Sequence, residues 1–328
     1  MTEIRQWSIW RRSALMLCIL LLAVLCSSCD TSYISSQQNG QSTTFTGSTT
    51  QQQITYGISP TDVLIRTFYG GGLQGTLNLG PRISIYGDGT YIMGLDRQGR
   101  LDTNTLQQLL NTLVDGYGLL AFKRQQFFDI PDQDATFLDL NVNGHHQELV
   151  YGAFGSQPES SQDKDEYQRL GNALKAITNA LTGAYSLYQG KDFALLARQT
   201  FSIDPNQVIP AWPLTDFTLA QAATFECGIV PQDPNGTNPE TACLKFVIPS
   251  RAILLTAAQL GKIKAQLNGQ SQGVFSEQGQ YYSITLRPLL PDELANKMLA
   301  MFGSAQSKFI GVPLLEGTVP PVPTATPS

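Results

Sequence analysis

Histidine occurs only twice in 328 residues, cysteine five times, and charged side chains make up 14 % of the chain. Each shortage closes off a class of function. The two histidines, His145 and His146, are neighbours, and adjacent residues of a strand point to opposite faces, so they do not readily share one metal ion. No HExxH spacing occurs, and the glycine run Gly70–Gly75 lacks the Lys-Ser/Thr of a phosphate loop. With 21 basic against 26 acidic residues the chain carries a net charge of −5. Nucleic-acid binding rests on clustered Lys and Arg, so no nucleic-acid partner is expected. No metal or other cofactor is expected either. No apolar run reaches the roughly 20 residues of a membrane-spanning helix.

One shorter run does stand out. Arg5, Arg11 and Arg12 precede Ala14–Cys26, which holds no charge, and Ser27, Ser28 and Cys29 follow. A positive segment, a short oily segment and small residues make a secretory leader, here residues 1–28. Its end resembles a bacterial lipobox, although Cys26 stands where that pattern has Leu, Val or Ile. The resemblance implies that Cys29 is acylated and becomes the new N-terminus, with the lipid bilayer as its partner. Residues 29–53 are then the acylated cysteine and a tether of Ser, Thr, Gln and Gly. Such a composition buries too little apolar surface to offset the entropy of ordering it. The implied location is the cell membrane, lipid-anchored, on the extracytoplasmic face.

Of the remaining cysteines, only Cys227 and Cys243 lie in the body. An exported pair in an oxidising compartment predicts a disulfide, here across a long-looped hairpin whose middle, PQDPNGTNPE, is turn chemistry. Hydrophobic periodicity predicts the rest. Asp88-Gly89 and Asn143-Gly144 mark two hairpin turns. Leu106, Leu109, Leu110 and Leu113 form one helical stripe, and Leu170, Leu174 and Ile177 another, with Asp163 and Glu166 at capping-box spacing. Trp212 is the expected anchor of a proline-rich loop. A last helix is predicted from Pro291, with Leu294, Met298, Met301 and Phe302 as its buried stripe. The expected class is α+β, with antiparallel hairpins or sheet and helices on one face. It divides into a first module, 54–190, a second, 191–303, and a proline-rich disordered tail, 304–328.

YGDGT at 86–90, the leucine-rich helix, the hairpin ending LVYG, the cysteine pair and RPLLPDE at 287–293 together resemble a group of uncharacterised exported lipoproteins of soil bacteria. The resemblance spans residues 60–295. It implies export and a shared fold and supplies no catalytic residues.

Three functions are open to such a chain. The first is a non-catalytic binding or envelope-structural module for an extracellular ligand or protein, its surface set around Tyr86, Asp88 and Tyr91, since exposed tyrosines suit sugars and peptides. The second is an exported hydrolase of glycosides, esters or peptides. It would draw on the acidic run FFDIPDQDATFLD, with Asp129, Asp132 or Asp134 acting beside His145. The third is a protein inhibitor presenting the loop closed by Cys227 and Cys243.

Overall fold

The structure, a computed structural model, describes residues 53–71, 79–130, 133–157, 159–200, 203, 206, 208–225, 248–303 and 308–317. Cys29, Asp132, Cys227 and Cys243 therefore lie outside the described residues, as do residues 1–52 as a whole. Residues 52–328 form one compact unit. Among the described residues, two mixed β-sheets and five short to medium helices build it, an α+β architecture.

The first sheet takes eight strands in the order β5-β7-β6-β1-β2-β3-β4-β8. β1 (Val63–Gly71) lies at its centre, between β2 (Ile83–Tyr86) and β6 (Asp134–Val142). β3 (Thr90–Met93), β4 (Arg97–Arg100) and the two-residue β8 (Ser186–Leu187) extend one side. β7 (His145–Tyr151) and β5 (Gln126–Phe127) extend the other, β5 running parallel to β7. Both expected turns form. Asn143 and Gly144 adopt φ of 54° and 70°, the left-handed pair that matches the twist of a two-residue hairpin. Asp88 accepts bonds from the Thr90 amide at 2.9 Å and the Thr90 hydroxyl at 2.8 Å, closing the other turn.

One face of this sheet is covered by α1 (Thr103–Asn111), which runs on as a wider π-turn to Gly116, and by α2 (Ser161–Ala180). Leu110, Leu113, Leu170 and Ile177 pack there against Ile65, Ile85, Leu138 and Leu149. Each such side chain contributes about 1.5–3 kcal/mol on full burial. The α2 cap is Ser160, whose hydroxyl accepts from the Asp163 amide at 3.0 Å, and so differs from the expected capping pair. Glu166 instead turns inward, 2 % exposed, and accepts from Gln162 and the Arg124 amide.

The second sheet has the order β11-β12-β9-β10-β14-β13. Its strands are β9 (Phe193–Thr200), β10 (Ala252–Leu255), β11 (Gln272–Glu277), β12 (Gln280–Pro288), β13 (Met298–Gly303) and β14 (Lys308–Glu316). β10 and β14 run parallel. The helices α3 (Leu219–Ala222) and α4 (Ala257–Gln266) cover one face, together with the Trp212 loop. Trp212 meets Phe275 edge-on at 5.3 Å and donates its indole N–H to the Phe217 carbonyl, the anchoring role its loop required.

The C-terminal expectations are corrected. α5 is only Pro291–Asn296, and Lys297 turns left-handed at φ 50° and ends it. Met298 onward is strand, with Leu299 and Met301 fully buried at alternate positions. The i, i+4, i+7 spacing of Leu294, Met298 and Met301 imitates a helix, but strand pairing of Ala300 with Gly311 wins. Residues 308–316 are likewise strand rather than the start of a disordered tail, because Val312 and Leu314 complete the core shared with β9 and β10.

Candidate functional site

The structure corrects the tyrosine surface. Tyr86 is 0 % and Tyr91 1 % exposed, both core side chains, and Asp88 is occupied in its own turn. Both faces of β2 are covered: Tyr91, opposite Ile85, joins the core under the helices, while Tyr86, on the other face, packs with Ile92 and Leu290.

Of the acidic run's described candidates, neither Asp129 nor Asp134 meets His145. His145 pairs with Val142 at one end of the β6–β7 hairpin, and Asp134 lies eight positions away along β6. At roughly 3.4 Å per residue that is about 27 Å. Asp134 accepts from the Tyr69 hydroxyl at 3.0 Å, and Asp129 from the amides of Gly155 and Ser156, both at 3.1 Å. His145 sits beside Thr55, Leu120 and Asn143. The imidazole that does meet a carboxylate is its neighbour: His146 Nε2 lies 2.8 Å from Asp139 Oδ1. This pairing was legible. A two-residue turn at Asn143-Gly144 sets Asn141 opposite His146 and Asp139 opposite Glu148, so these four share one face.

A second missed signal is the spacing Gly269-Gln270-Ser271-Gln272-Gly273, which matches the nucleophile-elbow pattern. It lies between α4 and β11, a helix-to-strand turn, whereas an elbow joins strand to helix. Ser271 is exposed there and Gly273 belongs to β11.

The charged residues that the fold does gather lie between the two sheets. Arg66 on β1 and Asp292 on α5, 226 positions apart, are joined by two bonds of 2.9 and 2.7 Å. Ser84 accepts from Arg66 Nε at 3.1 Å, and the Tyr86 hydroxyl donates to Asp292 at 2.9 Å. Burial opposes the Arg66 charge, but the bonds and charge of Asp292 outweigh it and raise its pKa. Burial, and then the Asp292 charge, push the Tyr86 hydroxyl far up, so it serves as a donor. The next residue, Glu293, holds Arg287 through bonds of 2.6 and 2.7 Å. It also accepts from the amides of Leu290 and Ala300, while Arg287 donates to the carbonyls of Leu79 and Ala300. This second pair therefore covers the outward N–H and C=O of Ala300 on β13, the edge strand of its sheet. A sheet edge left bare is a template for unwanted pairing.

Beside the Arg66–Asp292 pair a cleft of about 230 Å³ remains. Phe68 and Asp139 line it from the first sheet, Asn296 from α5, and Met298, Met301 and Ile310 from the second sheet. Asp139 Oδ1 accepts from His146 and from Asn141 Nδ2 at 3.1 Å. Its Oδ2 has no hydrogen-bond partner among the described residues. Burial raises the Asp139 carboxyl above the usual carboxylate range, against the pull of the His146 and Arg66 charges.

Fold and site together define an α+β protein of two mixed sheets, locked by buried ion pairs and carrying a small acidic cleft at the junction. No protein-family model matches the chain, and no curated protein or solved structure matches it either.

Proposed function

We propose that this chain is a lipid-anchored extracytoplasmic lipoprotein whose body binds a small extracellular ligand without turning it over. The observation that carries the binding half is the junction cleft, where a carboxylate with spare accepting capacity faces an apolar wall. Ligand sites are commonly concave and apolar with a few placed polar groups. The leader, Cys29 and a tether with Asp30 as its one charge support the anchoring half, and a Cys227–Cys243 bridge belongs to the same reading. Kinship with the exported lipoproteins of soil bacteria is part of this proposal.

Two experiments test it. Metabolic labelling with a lipid precursor should mark the wild type and fail to mark Cys29→Ala; an unlabelled wild type removes the anchor. A ligand-observed NMR screen of a mixed small-molecule library should give hits that Gly311→Leu abolishes. A Cβ at Gly311 would lie 2.5 Å from the tip of Met298 and drive it into the cleft. The absence of hits, or hits indifferent to that change, removes the cleft as a binding site.

The hydrolase reading keeps one specific observation, the Asp139–His146 pair, in which a carboxylate orients an imidazole as in acyl-transfer enzymes. Activity profiling on ester, glycoside and peptide panels decides it: turnover lost in His146→Ala would establish catalysis and displace the binding proposal.

A further inference from the structure

We infer that the junction cleft is a site for a small organic cation, an ammonium carried on a short apolar body. The inference rests on reading the cleft as a binding site and specifies its occupant.

Charge comes first. Of the ionised side chains lining the cleft, Arg66 and Asp292 neutralise one another through their two hydrogen bonds, and Arg66 gives its remaining reach to Ser84 and Tyr86. Among the lining residues Asp139 is left as the surplus negative charge, and its ion-pair partner, the His146 imidazole, stands on the neighbouring strand outside the lining. His146 and Asn141 both donate to Oδ1, so Oδ2 remains able to accept. Glu148, opposite Asp139 in the hairpin and 3.8 Å from His146, adds a second acid on the same face of the sheet. An anion entering the cleft would meet Asp139 with no uncommitted guanidinium to receive it.

The walls fit the same occupant. Met298 and Met301 offer thioethers, polarisable surfaces that suit a cation's apolar body without competing for its hydrogen bonds. Asn296 stands exposed on α5 among the lining residues and brings an amide acceptor to the cleft. The volume, about 230 Å³, holds roughly seven or eight water-sized groups. Hexylamine, with seven non-hydrogen atoms, is a probe of that size.

The test is calorimetric titration of the full-length chain in detergent with hexylamine, hexanoate and 1-hexanol, each against a detergent blank. Hexylamine should bind at least tenfold more tightly than either control. Asp139→Asn, checked for folding by its thermal transition, should remove that preference. Met298→Lys, which brings a tethered ammonium to the cleft, should abolish hexylamine binding while leaving the fold intact. Equal affinity for amine and alcohol, no amine binding at all, or an amine affinity in Asp139→Asn within twofold of wild type would overturn the inference. Binding of hexanoate or hexanol alone would sink the cation while leaving the cleft a binding site. The library screen with Gly311→Leu tests that broader reading separately.

Discussion

Asp292 and Glu293 are consecutive residues of one short helix, each holding a buried arginine, yet the two pairs do different work. Glu293 and Arg287 lie within the second sheet's own segment, and their surroundings are saturated by the amides and carbonyls they cap. Asp292 reaches across to Arg66 in the first sheet, and the junction it ties is imperfectly filled. A buried pair surrounded by backbone partners closes an edge. A buried pair at a junction holds two surfaces at a set distance and leaves room beside itself. The unfilled space therefore lies beside the cross-sheet pair, next to Asp139.

That contrast can be broken in order of expected effect. Removing one partner of the saturated pair, as in Arg287→Met, leaves Glu293 charged and buried and should cost about 3–5 kcal/mol, measured by urea unfolding. The double change with Glu293→Leu should recover part of the loss, because no uncompensated charge remains. Equal losses in single and double variants would mean that packing, not charge, dominates there. Asp292→Asn should cost less, about 2–3 kcal/mol, since Arg66 keeps Ser84 and Tyr86 and borders a cleft that water can enter. Tyr86→Phe deletes one donor to a charged acceptor and should cost about 1–2 kcal/mol. It should leave ligand binding unchanged, in contrast to a role for Tyr86 at an exposed surface.

The smallest effect concerns pH. Asp139 holds its proton more tightly in the folded than in the unfolded chain, because burial raises its carboxyl. Its contribution to stability is thus present in acid and is lost as pH rises through the folded-state value. Urea unfolding followed from about pH 4 to neutrality should show this loss in the wild type and a flatter profile in Asp139→Asn. A steeper profile in the variant would reverse the sign and place Asp139 among the stabilising ionised carboxylates.

Much of the local architecture was legible. The Asn143-Gly144 turn, the leucine stripe of α1 and the inward face of β12, carried by Tyr282, Ile284 and Leu286, follow from period and turn chemistry, and all occur. The candidate site was legible only in part. Hairpin register alone places Asp139 with His146, whereas pairing Asp134 with His145 ignores the length of β6, which sets them eight positions apart. Arg66 offered no comparable signal, since its partner lies 226 residues away on an element formed by other forces. The tyrosines misled because a ring of mixed character suits both a surface and a core, and only the layer packed above β2 and β3 decides between them.

By itself the sequence determined the short-range features: an uncharged apolar run ahead of Cys29, the turns, the helical stripes and an α+β alternation. These depend on residues within a few turns or one hairpin of each other, where sterics and periodicity act directly. Only the tertiary structure decided that Met298–Gly303 is strand, that Tyr86 and Tyr91 are interior, and that Arg66, Asp139 and Asp292 meet. The physical reason is that burial and ion pairing depend on which surfaces come together, and that choice is made by the packing of the two sheets as a whole.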